Sequence, residues 1–238
     1  MALQSAGDLL AVWETAATQA PVERALTLLA AAWPGASRAE LARLPLGERD
    51  ARLLDLRAAL FGAEVAALAA CARCGERVEF ALDVPGLRVA GAPPAQGEVS
   101  AGGWTLRYRP ATSEDLLAAL PAPDPVRALA GRCLVDARRD GLPMDEALLP
   151  EEALDALSAA LAASDPQAEV MLDYTCPACG EEGRTVFDPG AFLWDELRAQ
   201  ARRLLMEVAE LARAYGWREA DILALSAARR RAYLELAS

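Results

Sequence analysis

The chain contains no histidine. That removes the commonest general base and the commonest ligand of catalytic zinc. Basic residues are short as well: Lys+Arg 24 against Asp+Glu 35 leaves a net charge of −11. Phosphate neutralisation calls for the opposite field, so no nucleic-acid partner is expected. No apolar run long enough to cross a membrane is free of charge, and the best candidate, residues 58–70, is interrupted by Glu64. No basic segment followed by an apolar run opens the chain, so no signal peptide and a cytoplasmic location are expected. P-loop, H-E-x-x-H and G-x-S-x-G patterns are absent, and Ala101-Gly102-Gly103 lacks a dinucleotide fingerprint. The pairs Glu151/Glu152 and Glu181/Glu182 read as a helix first turn and a polar hairpin turn. The expectation is a protein that is not an enzyme.

Aromatics are scarce, at 5% of 238 residues, while alanine and leucine supply most of the 54% hydrophobic content. Both lose little side-chain freedom in a helix, so the composition favours helices. What stands out against this background is cysteine. Four of the five cysteines form two Cys-x-x-Cys-Gly knuckles, Cys71-Ala-Arg-Cys74-Gly75 and Cys176-Pro-Ala-Cys179-Gly180. Two thiolates on one tight turn reach the same metal, and the glycine lets the backbone curl so that its amides face the sulfurs. Tetrahedral Zn²⁺ takes four such ligands, so Cys71, Cys74, Cys176 and Cys179 form a candidate split structural zinc site. A redox-active pair or two disulfides are the rival readings. A thioredoxin-type pair opens a helix, whereas a β-like segment follows each knuckle here, at 78–84 and 184–188. Cys133 reads as a buried small residue.

Residues 1–70 read as a helical block, with Pro21 in a helix first turn and a long helix over 48–70 that delivers the first knuckle. Residues 71–109 hold the knuckle and β segments, including a hairpin around 98–109 with Trp104, Leu106 and Tyr108 on one face. Residues 110–165 read as a helical insert, with helices over 112–120, 125–139 (capped by Asp124) and 150–163. Residues 166–190 carry the second knuckle and its hairpin. The block 191–238 opens with the most strongly patterned helix, whose stripe runs from Leu193 through Leu204 to Tyr215. Gly216 ends it as a left-handed cap, and two short helices follow, the second capped by Ser226. Arg229-Arg230-Arg231 reads as a solvated face near Glu219, Asp221 and Glu235. The fold class expected is α+β and predominantly helical, with N- and C-terminal helical blocks around a split four-cysteine zinc-ribbon-like β module.

Four C-terminal stretches are specific enough to compare with known proteins: Phe192-Leu-Trp-Asp-Glu196, Ala201-Arg-Arg-Leu-Leu-Met-Glu-Val208, Ala214-Tyr-Gly-Trp-Arg-Glu-Ala-Asp-Ile-Leu-Ala-Leu225 and Arg229-Arg-Arg-Ala-Tyr-Leu234. Collinear with them are Leu10-x-x-Trp13-Glu14, Leu44-Pro-Leu-Gly-x-Arg-Asp-x-Arg-Leu-Leu54, both knuckles and Ser164-Asp-Pro-Gln-Ala168. Together they resemble the T4-type baseplate hub assembly chaperones of contractile phage tails and phage-tail-like injection systems. Ala209 departs from the family, which often carries a histidine there. The resemblance implies a non-enzymatic assembly factor, acting in the cytoplasm, whose partners are baseplate hub or spike proteins. The class-different alternative is a zinc-ribbon adaptor for nucleic acid. Tyr215, Trp217, Ile222, Leu223 and Leu225 are candidates for partner contact, against the plainer reading that they pack the terminal helices.

Overall fold

Short side chains set where several helices of this protein begin. In the computed structural model, which describes residues 5–145 and 148–237, Ser5 and Asp8 form a reciprocal capping box at the start of α1 (Ala6–Ala16). The Ser5 hydroxyl accepts from the Asp8 N–H at 3.0 Å and the Asp8 carboxylate accepts from the Ser5 N–H at 3.1 Å. Pro21 opens α2 (Pro21–Ala32), where its missing N–H leaves no bond unmade. Next come α3 (Arg38–Ala42), α4 (Leu46–Phe61), β1 (Glu64–Ala70), β2 (Arg77–Asp83), α5 (Val84–Leu87), β3 (Gly97–Ala101) and β4 (Trp104–Tyr108). Then follow α6 (Ser113–Ala119), α7 (Pro125–Cys133), β5 (Leu134–Arg139), β6 (Leu142–Pro143), α8 (Glu151–Ser164) and a 3₁₀ turn (Pro166–Ala168). The chain finishes with β7 (Val170–Thr175), β8 (Glu182–Phe187), α9 (Pro189–Tyr215), α10 (Glu219–Leu223) and α11 (Ala227–Ala237). The mixture of many helices with small sheets fits the mixed helix-and-strand character expected. Among the described residues the sheets are β1–β2, β3–β4–β5–β6 and β7–β8, all antiparallel. No helix among them is long and apolar enough to cross a membrane.

The chain divides into two compact units, Met1–Arg38 with Gly190–Ser238, and Ala39–Pro189. In the first, Leu193, Leu197, Ala201, Leu204 and Leu211 form the buried stripe of α9. Leu10 joins Ala201 and Leu204 in a cluster flanked by Leu9, Trp13 and Leu223. The arginine run differs from the solvated face expected. Arg230 is buried, donating to the Glu207 carboxylate and to the Leu225 carbonyl, each at 2.7 Å. A three-residue charge run spans most of a helical turn, so one member must face inward once the helix docks.

In the second unit, Trp104, Leu106 and Tyr108 on β4 face a core shared with Ala137 of β5 and with Ala153 and Leu157 of α8. Two stretches expected as helix are strand. The helix expected over 48–70 stops at Phe61, where Gly62 takes a φ of 91°. Residues Glu64–Ala70 then pair one for one with Arg77–Asp83. Alanine's intrinsic helix advantage is at most about 0.7 kcal/mol per ordinary residue. The ladder hydrogen bonds and the inward burial of Val65 and Ala67 outweigh it. Likewise the helix expected over 125–139 ends at Cys133, and Leu134–Arg139 joins the sheet against β4. Asp140 and Gly141, both at positive φ, turn the chain into β6.

The segment 165–168 fastens the second unit together. Pro45 provides no side-chain cap for α4. Instead, the buried Asp165 carboxylate accepts the Gly47 N–H at 2.8 Å, 118 positions away in sequence. The Gln167 side chain accepts from the Val89 N–H at 2.7 Å and donates to the Leu87 carbonyl at 3.2 Å. The roots of both two-stranded hairpins, just after β2 and just before β7, are thereby held to one another.

Candidate metal centre

Each knuckle is the turn of a hairpin, and the two turns are built alike. The Cys71 N–H donates to the Glu76 carbonyl at 2.8 Å, and the Gly75 N–H donates to the Cys71 carbonyl at 2.9 Å. Their counterparts are Cys176 to Glu181 at 2.8 Å and Gly180 to Cys176 at 3.0 Å. Gly75 and Gly180 sit at φ of 75° and 72°, where a side chain is disfavoured. Cys-x-x-Cys-Gly is thus the sequence that lets a chain turn through this geometry and aim both sulfurs the same way.

The four sulfurs of Cys71, Cys74, Cys176 and Cys179 lie within 4.8 Å of one another. Cys71 Sγ is 3.8 Å from Cys179 Sγ, and Cys74 Sγ is 3.7 Å from Cys176 Sγ. A tetrahedral thiolate shell with metal–sulfur bonds near 2.3 Å places its sulfurs about 3.8 Å apart, so the donor set fits a metal ion of that kind. Four soft ligands and no oxygen or nitrogen donor suit zinc or iron, and not magnesium or calcium.

Aromatic packing holds the two halves in register. Tyr174, two residues before Cys176, is buried in a cluster with Cys71, Val78 and Cys176, flanked by Phe80. Its ring meets Phe80 edge-on at 6.4 Å, and its hydroxyl accepts the Ala72 N–H of the opposite knuckle at 3.2 Å. Gly183 leaves room for this ring, since a Cβ there would lie 2.6 Å from the Tyr174 hydroxyl. Arg73 and Glu181 also bridge the knuckles at 3.3 Å, but both are exposed and such a pair contributes little. The Cys74 backbone N–H draws Cys71 down to about 7. For Cys179 the Glu181 N–H pulls downward, yet desolvation and the facing thiols prevail and push it up to about 12.

Cys133 is buried away from this cluster, and burial raises its thiol to about 11. Of the candidate partner residues, Ile222 is fully buried, as the packing reading has it. Leu223 is half-buried against the Leu10 cluster, and Leu225 is half-buried. Tyr215 and Trp217 stack at 4.7 Å, Tyr233 meets Trp217 edge-on at 4.8 Å, and the Tyr215 hydroxyl donates to the Tyr233 carbonyl at 3.0 Å. These three rings close a corner between α9 and α11, with Tyr215 remaining on the surface.

The sequence reading did not single out Tyr174, Gly183, Asp165 or Gln167 for roles at this site. Nothing local to Tyr174 announces a hydroxyl bond to Ala72. Comparison with family models, with curated proteins and with solved structures returns no match.

Proposed function

We propose that this chain is a non-enzymatic assembly factor, a chaperone or adaptor, for the baseplate hub or spike of a contractile phage-tail-like injection system, and that its four-cysteine cluster holds a structural Zn²⁺. The convergence of four sulfurs from two knuckles a hundred residues apart is the observation that carries the metal reading. The assignment to tail assembly rests on the collinear sequence resemblance set out above, and on no feature of the site. Cys71, Cys74, Cys176 and Cys179 would hold the ion and fill its four positions. A closed shell leaves no place for a metal-bound water, so the ion's work is to tie β1–β2 to β7–β8. Such binding contributes folding free energy on the order of 10 kcal/mol or more. The action belongs to the cytoplasm in which the hub is put together.

An adaptor for nucleic acid is the second reading, drawn from the ribbon-like hairpins. The net charge of −11 disfavours it. A pull-down from cells assembling such particles tests the proposal. Recovery of a hub or spike protein supports it, while recovery of no tail protein, or of nucleic acid in a salt-dependent gel shift, overturns it. Metal analysis of the purified chain is the separate test of the ion, with one zinc per chain expected.

A further inference from the structure

The four cysteines are not equivalent in exposure. Cys71 and Cys176 are buried, Cys74 is exposed and Cys179 is intermediate. Each more exposed cysteine has its sulfur in contact with that of a buried one on the other knuckle: Cys74 with Cys176 at 3.7 Å, and Cys179 with Cys71 at 3.8 Å. Cys71 and Cys176 take the same place in their turns, as do Cys74 and Cys179, so the two contacts are counterparts.

We infer that the cluster, once its metal is withdrawn, is a thiol–disulfide exchange site that closes across the knuckles, forming Cys74–Cys176 and Cys71–Cys179 by reaction with a small-molecule disulfide such as oxidised glutathione. The accessible Cys74 thiolate attacks one sulfur of that disulfide. The S–S bond breaks, one glutathione thiolate leaves, and Cys74 carries a mixed disulfide. The Cys176 thiolate then attacks the Cys74 sulfur, the new S–S bond forms, and the second glutathione thiolate leaves. Cys71 and Cys179 close the second bridge by the same pair of exchanges. For each bridge two protein thiols give up two electrons and two protons, and one glutathione disulfide becomes two thiols.

The buried sulfur is the resolving group because it is already in contact with its accessible partner. Closing the gap to a bond of about 2.05 Å needs the two hairpins to approach by under 2 Å. Bridges within a knuckle, Cys71–Cys74 and Cys176–Cys179, would leave the hairpins untied. The cross-knuckle bridges close spans of 102 and 108 residues and so replace the metal as the link between β1–β2 and β7–β8. Metal-bound and oxidised chains then share one arrangement of the module, and the reduced, metal-free chain, which has neither link, is the least stable of the three. The inference rests on the metal-cage reading, and is independent of the assembly role.

The experiment uses the full chain. Its metal content is measured first, which reports on the cage by itself. Metal is removed with a chelator in the presence of reductant, and the reductant is then exchanged for oxidised glutathione. The expected result is loss of four of the five free thiols, with Cys133 unreacted. Peptide mapping without reduction should find Cys71–Cys179 and Cys74–Cys176, and the oxidised metal-free chain should melt above the reduced metal-free chain. In Cys74→Ser the remaining bridge should be Cys71–Cys179, with the Cys176 thiol free. Intra-knuckle bridges, Cys71–Cys176 with Cys74–Cys179, lasting glutathione adducts, unreacted thiols, or no gain in melting temperature would each overturn the inference. So would a Cys176–Cys179 bridge in the Cys74→Ser variant.

Discussion

Asp165 stands where a side chain on Gly47 would be: a Cβ at position 47 would lie 1.9 Å from Asp165 Oδ1, while Oδ2 accepts the Gly47 N–H at 2.8 Å. Residue 47 must be glycine for the carboxylate to come this close, and the carboxylate must be there to satisfy an N–H in the first turn of α4. Asp165→Ala is expected to cost about 1–2 kcal/mol of stability in urea denaturation, as loss of a buried cap does. Gly47→Ala should destabilise through the clash. The double variant should be less destabilised than the two losses added, because the aspartate that clashes has gone. Strict additivity would show that the two positions do not interact as described.

Buried carboxylates make the second unit sensitive to pH. Asp50, 3% exposed, has its carboxyl raised from 3.8 to about 6 by burial, against the pull of Arg49, which donates to it at 2.7 Å; Asp188 and Asp165 add to the rise. The folded chain therefore holds this proton more tightly than the unfolded chain. The resulting stability is fully present below the ordinary carboxylate value and is lost as pH rises through about 6. Comparing wild type with Asp50→Asn between about pH 4 and pH 7 isolates this group, and the difference should change by about 2 kcal/mol across that range. A constant difference would refute the assignment.

Metal retention should follow the knuckles and ignore the fifth cysteine. Cys176→Ala is expected to lose the ion and unravel the two hairpins, whereas Cys133→Ala should keep one metal per chain and lose only packing. Elemental analysis beside circular dichroism checks both. Full metal occupancy in Cys176→Ala would contradict the four-ligand site.

The ring beneath the cage should set how tightly the metal is held. Gly183→Ala drives a methyl into Tyr174 and should move its hydroxyl off the Ala72 N–H. Groups that orient ligands in this way change metal affinity by about 10–100-fold when lost. A chelator competition should therefore show weaker binding in Gly183→Ala, and a smaller loss in Tyr174→Phe, which removes the hydroxyl alone. Unchanged competition curves for both would leave Tyr174 with no part in the site.

Much of this structure was legible in the chain. Cys-x-x-Cys-Gly twice over named all four sulfurs, because the motif is also the local geometry that aims them. The Asp124 cap starts α7 where expected, accepting the Arg127 N–H at 3.0 Å, and the helix expected from 112 opens there, with Thr112 accepting the Asp115 N–H at 3.3 Å. The strand Glu64–Ala70 was hidden because five of its seven residues are alanine or leucine, and its partner strand decides its state. Arg230 deceived for the opposite reason: a charge run looks solvated until Glu207, 23 residues earlier, is seen beside it. Asp165, Gln167 and Tyr174 act over spans of 78 to 118 residues, which no local pattern records.

The interleaving of the two hairpins has a temporal side. Cys74 leaves the ribosome 102 residues ahead of Cys176, a lag of about 5–20 s at ordinary translation speeds of about 5–20 residues per second. For that interval the leading knuckle offers two thiolates where four are needed, and Gly47 waits still longer in sequence terms for Asp165, 118 positions behind it. Asp165 and Cys176 emerge nearly together, so the unit Ala39–Pro189 closes on itself only once its own last stretch has been made.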